Sequence, residues 1–354
     1  MSTQREQQSP IARPGLKLRA KARLGLLSDL RLVAYLSHGT REFLHVKGRL
    51  VEAPGLSGSI GKDGSLLSNV LTTLHRIGSE EIPGARLVAT FDGRDHDAYT
   101  DNEGYFHVNL YPREPLTVGW HDVHVELAES VKEAARTSAT ARVLVPPEEN
   151  AFAVVSDLDD TVIQTSATDK LEMIRLTLFE NAATRIAFPG IASLYVALTR
   201  GADRNGQNPI FYVSRSGWNL YDLFIEFFER NGIPPGPLFL RDLSFWGDKS
   251  TALGSVHHKL AQIRELLRAY PRLPFVLIGD SGQGDADTYR QIVLENPGLV
   301  RAVYLRDVTT RRRNRKVRAI AEDLQQRGVP ALLAQHSEEF AAHMRSQGLI
   351  GSAA

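Results

Sequence analysis

Residues 152–161 read FAVVSDLDDT, and this stretch decides which fold the chain can adopt. Its apolar run, residues 152–155, is typical of a short strand buried on both faces of a parallel sheet. The run leads into Asp-x-Asp-x-Thr, which sets Asp157 and Asp159 side by side at the strand tip. Ligands of open α/β sheets bind at such tips, so these acids are candidate catalytic groups. The alternative is a solvated turn, since aspartate is a common turn residue.

The chain after this stretch alternates between strand and helix patterns. Further apolar runs, each ending in a polar residue, occupy residues 210–213, 238–240, 275–278 and 303–305. Between them, apolar residues recur at helical spacing over residues 218–230 and 254–270, and Gly232 is a suitable C-terminal stop for the first helix. Alternating strands and helices predict a doubly wound parallel sheet in a three-layer α/β/α domain over residues 147–350.

Before this region, the pattern of apolar and polar residues has a different period. Alternating apolar and polar residues predict strands over residues 32–36, 42–46, 87–91, 105–110, 124–127 and 141–145. Turns are predicted at Asp92-Gly93 and over residues 101–104, and a short helix fits residues 66–77. Short strands at this spacing predict a separate small β-sandwich over residues 29–146, whose hairpin over residues 85–110 resembles transthyretin-like sandwiches.

The amino-acid composition limits the classes of protein to which this chain can belong. The 354 residues are 42% hydrophobic and 23% charged, as expected for two globular domains, and the net charge of +1 gives no overall attraction to a polyanion. Cysteine is absent, which excludes disulfides, thiolate metal sites and cysteine nucleophiles and suits a reducing cytoplasm. No apolar stretch approaches the roughly 18 residues of a transmembrane helix. Residues 1–28 are basic without an apolar core, so a flexible arm is expected there.

Polar residues at the other strand tips complete a candidate phosphoryl-transfer site. Ser214 follows the second run, Lys259 lies in the helix over residues 254–270, and Asp280 and Asp285 flank a glycine-rich turn after the fourth run. A hydroxyl and an ammonium group can hold phosphoryl oxygens, and carboxylate oxygens suit Mg²⁺. Each residue alone could be a cap, a solvated charge or a turn residue. Their order on consecutive strand–helix units favours one shared site.

This order of motifs resembles the haloacid-dehalogenase (HAD) superfamily of phosphohydrolases. More specifically, several motifs resemble those of the actin-patch-associated phosphatidate phosphatase family. They are YVSRSGWNL (212–220), GPLFLRD (236–242), GDSGQ (279–283), YLRDVT (304–309), NAATR (181–185) and FPG (188–190). The resemblance covers residues 152–310. One departure is Arg215-Ser216-Gly217-Trp218, where the family resemblance predicts Asn-Ser-Pro-Trp. The difference bears on the identity of the substrate.

The resemblance implies a role for each candidate residue. Asp157 would be the nucleophile, and Asp159 the general acid and then the general base. Ser214 and Lys259 would hold the phosphoryl oxygens. The implied ligands of a Mg²⁺ cofactor are Asp157, Asp159, Asp280 and Asp285, with Asp159 contributing its backbone carbonyl. A cation is needed because an anionic carboxylate attacks an anionic phosphate.

The implied enzyme is a Mg²⁺-dependent phosphatidate phosphatase that forms diacylglycerol and phosphate through an aspartyl-phosphate. Such a cytoplasmic protein would meet its substrate at a membrane surface. A basic cluster after the last predicted strand, Arg311, Arg312, Arg313, Arg315 and Lys316, can contact anionic lipid at ~1 kcal/mol per residue. An equally good explanation is a solvated helix start. Nucleic acid is not expected, because no aromatic residues are interleaved with the basic ones.

Two other functions stay open from the sequence. The same chemistry could act on a soluble phosphomonoester. Alternatively, the chain could be a lipid- or protein-binding scaffold in which the β-sandwich is the working part and the phosphatase domain is silent. The presence of Asp157, Asp159, Lys259 and Asp280 argues against a silent site, because such a site has no physical need for all four.

Overall fold

The computed structural model describes residues 29–53, 80–128, 137–148, 151–159, 161–163, 187–241, 252–282, 284–308 and 311–351. The predicted arm over residues 1–28 and the predicted helix over residues 66–77 lie outside these ranges. The chain divides into two compact units, Met1–Val143 and Leu144–Ala354. None of the described helices combines the length and the apolar character needed to cross a membrane.

The first unit is β-rich throughout its described residues. Its strands are β1 (Asp29–Ala34), β2 (Ser37–Gly39), β3 (Leu44–Ala53), β4 (Glu80–Glu81), β5 (Arg86–Phe91), β6 (Arg94–Tyr99), β7 (Tyr105–Leu110), β8 (Gly119–Leu127) and β9 (Ser138–Val145). The six sequence-predicted strands are all present, and β2, β4 and β6 are additional. The likeness to transthyretin-like sandwiches stays a prediction.

Strand β3 shows how the sequence pattern forms this unit. It pairs antiparallel with β1 and with β7. Leu44, Val46 and Leu50 are fully buried, whereas the alternate side chains are partly exposed, as a period of two requires for a strand with one face on the core. The predicted Asp92-Gly93 turn joins β5 to β6. Both residues have positive φ, 51° and 66°, which a two-residue type I′ hairpin needs.

The second unit contains one six-stranded sheet. Its strands are β10 (Ala153–Asp157), β11 (Ile210–Gly217), β12 (Leu238–Arg241), β13 (Phe275–Asp280), β14 (Val300–Arg306) and β15 (Ala331–Ala334). Its helices, among the described residues, are α1 (Ile191–Arg200), α2 (Tyr221–Asn231), α3 (Ala252–Ala269), α4 (Asp285–Glu295), α5 (Arg311–Gln326) and α6 (Ser337–Ser346). The strands are parallel in the order β12-β11-β10-β13-β14-β15.

Helices cover both faces of this sheet. On one face, Val155, Leu277 and Val303 join a buried cluster with side chains of α3, α4 and α5. On the other face, Tyr212 packs against Phe228 of α2, and Tyr304 packs against Phe340 of α6. Strands buried on both sides have no polar face, which is why they read as continuous apolar runs. The predicted parallel α/β architecture is therefore confirmed, and β15 adds a strand that the sequence did not predict.

Strand order determines where a site can form. From β10 the chain moves outward through β11 to β12, then returns to β13 on the other side of β10 and continues through β14 to β15. The connections leaving β10 and β13 therefore run in opposite directions. A crevice opens between the carboxyl ends of two such strands, and this is where open α/β sheets bind ligands.

Candidate active site

Three buried aspartates meet at this crevice. Asp157 ends β10, Asp280 ends β13, and Asp285 is the first residue of α4. Each is at most 1% exposed. Their carboxylate oxygens lie within 4.8 Å of one another. The structure thus brings together three of the four residues that the sequence predicts as metal ligands.

Lys259 of α3 lies among these carboxylates. Its Nζ is 2.6 Å from Asp157 Oδ1 and 2.5 Å from Asp285 Oδ1, so it donates to both. The side chain is 2% exposed. Burial lowers the pKa of Lys259, but the carboxylates of Asp157 and Asp285 raise it, and the net change is upward. The lysine is therefore a fixed positive charge rather than a base.

The same burial acts on the candidate nucleophile. Desolvation raises the pKa of Asp157 well above its ordinary value, Lys259 opposes that rise, and the nearby carboxylates of Asp285 and Asp280 add to it. One ammonium group thus faces several crowded carboxylates. A further positive charge at this place would stabilise the ionised form of Asp157, which is the form that can act as a nucleophile.

Asp159 is directed to a different partner. Ser214, in the second half of β11, donates from its Oγ to Asp159 Oδ2 at 3.0 Å, and the same Oγ accepts from the N–H of Ser216 at 3.0 Å. Both Asp159 and Ser214 are buried. The side chain of Asp159 is therefore separate from the group of three metal-ligand candidates and lies beside the predicted phosphoryl-binding hydroxyl.

The turn after β10 holds the two acids apart. Val162 and Ile163 both donate their N–H groups to the carbonyl of Leu158, each at 3.1 Å. Thr161 Oγ1 donates to Asp157 Oδ2 at 3.4 Å. Thr161 thus acts within the turn, and Asp160 lies outside the described residues.

The position of the Asp285 side chain depends on a close approach between its carboxylate and the backbone of β13. The N–H of Asp280 donates to Asp285 Oδ2 at 3.1 Å. A Cβ on Gly279 would lie 2.3 Å from that same oxygen and 2.8 Å from Tyr289 Oη. Gly284, which precedes α4, has a φ of 93°, and an acid in the first helical turn is favoured by the helix dipole. Gly279 was not singled out from the sequence, although a glycine directly before Asp280 is a visible signal.

These residues fit a divalent cation. Three carboxyl groups lie within one small volume and share a single hydrogen-bonded ammonium group, so their ionised forms carry a net negative charge in a buried place. Buried charges require compensation. All the candidate ligands are hard oxygen donors, which is the set that Mg²⁺ prefers. The identity of the cation stays a prediction.

Two residues beside the site, Ser156 and Tyr195, were missed from the sequence, whereas Arg306 was recognised as the polar residue that ends the fifth apolar run. Ser156 precedes Asp157 and donates from its Oγ to the carbonyl of Asp157 at 2.7 Å, while the same Oγ lies 2.6 Å from Tyr195 Oη of α1. Arg306 lies opposite Asp280 in the sheet register and is 1% exposed. A serine at the end of an apolar run was the available signal for Ser156. Nothing in the sequence marks Tyr195, because its partner is distant in the chain.

Arg306 is a buried cation held without a carboxylate hydrogen bond among the described residues. It donates to the carbonyl of Gln335 at 2.9 Å and to Ser337 Oγ at 3.1 Å. Its guanidinium lies 4.0 Å from the centre of the Phe188 ring. Burial lowers its pKa. Arg306 therefore ties the start of α1 and the start of α6 to the edge of the sheet where the aspartates lie.

The predicted basic cluster begins at the same edge, because α5 starts shortly after β14 ends. Arg315 and Lys316 are exposed, and Lys316 Nζ pairs with Asp287 Oδ2 at 2.7 Å. The side chains of Arg311, Arg312 and Arg313 lie outside the described part of the chain. Lys316 is thus partly neutralised by its own protein, and membrane contact through this cluster stays a prediction.

Comparison with known proteins finds a family model and two relatives that resemble the region of this site. Residues 152–307 match the family model described as "Phosphatidate phosphatase APP1, catalytic domain". The chain is 30% identical over 154 residues to phosphatidate phosphatase APP1 of Saccharomyces cerevisiae, covering 43% of this chain and 25% of that protein. It is 23% identical over 212 residues to an uncharacterized protein of Schizosaccharomyces pombe, covering 59% of this chain and 34% of that protein. The resemblance inferred from the motifs is confirmed.

The alignments cover only part of each protein. The chain spans about a quarter to a third of the length of these two curated relatives. Among solved structures, a carbohydrate acetylesterase from Xanthomonas citri aligns with a TM-score of 0.29 at 13% identity, over 79% of this chain and 69% of that one. A likeness of that size carries no argument about fold or activity.

Proposed function

We propose that this protein, whose residues 152–307 match the model of the phosphatidate phosphatase APP1 catalytic domain, is a Mg²⁺-dependent phosphatase of phosphatidate or a related lipid phosphomonoester. One observation carries the proposal: Lys259 bridges Asp157 and Asp285 at 2.6 and 2.5 Å, beside the Ser214–Asp159 hydrogen bond. A nucleophile, a second acid, a hydroxyl and a fixed cation are the groups that phosphoryl transfer through an aspartate requires.

In the first step, a carboxylate oxygen of Asp157 bonds to phosphorus as the bond from phosphorus to the alkoxide oxygen breaks. Asp159, protonated at this stage, gives its proton to that departing oxygen, which leaves as an alcohol. In the second step, Asp159 takes a proton from a water molecule whose oxygen bonds to phosphorus. The bond between phosphorus and Asp157 then breaks, releasing inorganic phosphate and the free carboxylate.

The remaining groups stabilise charge. Lys259 Nζ and Ser214 Oγ are proposed to hold phosphoryl oxygens as negative charge spreads over them. Asp157, Asp280 and Asp285, with the carbonyl of Asp159, are the proposed holders of Mg²⁺. When bound, the metal ion reduces the repulsion between the carboxylate and the phosphate. The buried excess of carboxylates supports this assignment.

The proposal extends to the architecture and the setting of the enzyme. The sheet order with a crevice between β10 and β13 supports a HAD-like catalytic domain over residues 147–350. The β-rich first unit supports a separate β-sandwich over residues 29–146. Exposed Arg315 at the start of α5 supports peripheral contact with an anionic membrane. The proposed setting is therefore the cytoplasm, with peripheral binding to a membrane surface.

The test is phosphate release from phosphatidate in mixed micelles, with and without Mg²⁺. We expect Mg²⁺-dependent release that disappears in Asp157→Asn and persists in Asp287→Asn, an exposed aspartate of α4 whose partner is Lys316. Release from a soluble aryl phosphate but not from phosphatidate would keep the chemistry and contradict the lipid substrate. No release from either compound would contradict the proposed function and favour a binding scaffold.

A further inference from the structure

A pair of buried hydroxyl groups lies directly behind the candidate nucleophile. Ser156 and Tyr195 are both 0% exposed. Ser156 Oγ donates to the carbonyl of Asp157 at 2.7 Å and lies 2.6 Å from Tyr195 Oη. A serine hydroxyl carries one proton. Because that proton goes to the carbonyl, Ser156 accepts at its other contact and Tyr195 donates. Hydrogen-bond donation therefore runs from Tyr195 of α1 to Ser156, and from Ser156 to the carbonyl of Asp157 on β10.

The pair fixes the peptide group between Asp157 and Leu158. On the far side of Leu158, its own carbonyl accepts the N–H groups of Val162 and Ile163, each at 3.1 Å. The carbonyls on both sides of the short turn between Asp157 and Asp159 are therefore bound. Rotation of either peptide plane would turn one carboxylate away from Lys259 or the other away from Ser214.

Packing alone gives no reason for a hydroxyl at position 156. The register partners of Ser156 are Ile278 on β13 and Tyr212 on β11, and an apolar residue there would need no hydrogen-bond partner. Tyr195 lies next to charge as well. Burial raises the pKa of Tyr195, while its hydrogen bond with Ser156 and the cation of Arg306 act in the opposite direction. A cation near a phenol strengthens it as a hydrogen-bond donor.

We propose that Ser156 and Tyr195 are positioning residues that hold the backbone of Asp157 in the orientation needed for attack on phosphorus. The inference rests on the proposed function, since it assigns these hydroxyls to the nucleophile of that reaction. Neither residue touches the reacting atoms. They act through the carbonyl of Asp157, and a misplacement of about 1 Å at a nucleophile can cost up to about a hundredfold in rate.

The test compares two buried tyrosines on the same face of the sheet. Tyr195→Phe removes the hydroxyl that reaches Ser156, and Tyr212→Phe removes one that donates to the carbonyl of Pro234 at 2.7 Å. Each variant loses one hydrogen bond made by a buried tyrosine side chain. With an aryl phosphate and Mg²⁺, we expect Tyr195→Phe to lower kcat about tenfold with KM within about twofold, and Tyr212→Phe to keep the wild-type values.

A series of aryl phosphates separates positioning from a loss of acid catalysis. A displaced Asp157 lowers the rate by a similar factor for every leaving group, whereas a displaced Asp159 spares the substrates whose leaving groups need no proton. We expect the uniform loss in Tyr195→Phe. Ser156→Ala breaks the same link at its other end, so adding Tyr195→Phe to it should lower kcat no further.

Each outcome separates the two proposals. A wild-type protein without phosphatase activity contradicts the proposed function, and the positioning role with it. An active wild type in which Tyr195→Phe and Tyr212→Phe have equal kcat contradicts the positioning role alone. A loss of kcat in Tyr195→Phe that vanishes once rates are divided by the folded fraction from circular dichroism also contradicts the positioning role. A loss of kcat confined to substrates with poor leaving groups contradicts it as well.

Discussion

The ammonium group of Lys259 lies 2.6 Å from the carboxylate of Asp157, although 102 residues separate them in the chain. The same ammonium group lies 2.5 Å from Asp285. The two contacts join α3 to the end of β10 and to the start of α4. They also set the charge of the site, because Lys259 is the cation that is hydrogen-bonded to the buried aspartates in the described part of the chain.

Replacing this lysine tests how much of the site depends on its charge. Lys259→Met keeps the length of the side chain and removes the ammonium group. We expect kcat to fall at least about a hundredfold, because charge on the transferred phosphoryl group loses a fixed partner. In metal-free buffer at pH 8, the free energy of unfolding should fall by about 3–5 kcal/mol, since buried carboxylates lose their counter-charge. Steady-state kinetics and urea unfolding measure the two effects.

The matched control is on the same helix. Arg264→Met breaks a partly exposed ion pair with Glu295, in which Nη2 and Oε1 are 2.5 Å apart. We expect it to leave kcat and the unfolding midpoint close to the wild-type values, because exposed ion pairs contribute little. Equal losses in Lys259→Met and Arg264→Met would show that the buried charge has no special role.

The effect of Asp280→Asn on stability should change sign when Mg²⁺ binds. In the metal-free protein, Asp280→Asn removes a charge that repels Asp157, so we expect a higher melting temperature than in the wild type. With Mg²⁺ present at 100 times the dissociation constant, the wild type should gain about 2.7 kcal/mol. Asp280→Asn should gain much less and become the less stable protein. Thermal unfolding in EDTA and in Mg²⁺ checks this order.

Asp287→Asn serves as the control for this reversal. Asp287 lies on α4 near Asp285 in sequence, but it is exposed and pairs with Lys316 at 2.7 Å. Its variant should gain the full wild-type stabilisation from Mg²⁺. If Asp280→Asn gains as much as Asp287→Asn, Asp280 does not hold the metal ion.

Gly279 should be irreplaceable for the placement of Asp285. A Cβ at position 279 would lie 2.3 Å from Asp285 Oδ2 and 2.8 Å from Tyr289 Oη. We expect Gly279→Ala to displace that carboxylate and to weaken Mg²⁺ binding at least about tenfold, measured by calorimetry. The comparison is Gly236→Ala, where a Cβ would lie 2.0 Å from the carbonyl oxygen of Ile210. Both variants should lose stability, but only Gly279→Ala should lose Mg²⁺ affinity.

The β-rich unit should lose stability in mild acid. Burial, with a smaller contribution from His45, lowers the pKa of His38 from 6.5 to about 3. The folded state thus keeps His38 neutral while the unfolded chain takes up a proton below pH 6.5. Stability is therefore constant above about pH 7 and falls by up to about 1.4 kcal/mol per pH unit as pH drops from 6.5 toward 3. Hydrogen exchange of β2 and β3 amides at pH 7.5 and 5 measures the loss.

His38→Gln should flatten this pH dependence, because glutamine does not titrate. His124→Gln, at an exposed position on β8, should retain the wild-type dependence. A wild-type profile in His38→Gln would mean that another group takes up the proton.

Much of the second unit was predictable from local pattern. The run at residues 275–278 lies within β13, the run at residues 152–155 overlaps β10 (Ala153–Asp157), and the helical periodicity over residues 254–270 corresponds to α3 (Ala252–Ala269). Strands buried on both faces must be apolar, so their tips stand out as the first polar residues. For that reason Asp157, Ser214 and Asp280 could be named from sequence. Strand β15 was missed because ALLA is short enough to fit either a helix or a strand.

The sequence by itself determined which residue types end each strand and follow each turn, because these depend on a period of two or 3.6 and on neighbours within a few positions. Only the tertiary structure decided which of them meet. Lys259 reaches Asp157 across 102 residues, Ser214 reaches Asp159 across 55, and Tyr195 reaches Ser156 across 39. Such pairs are set by strand order and by the face on which each helix packs. No local pattern in one chain encodes these two properties.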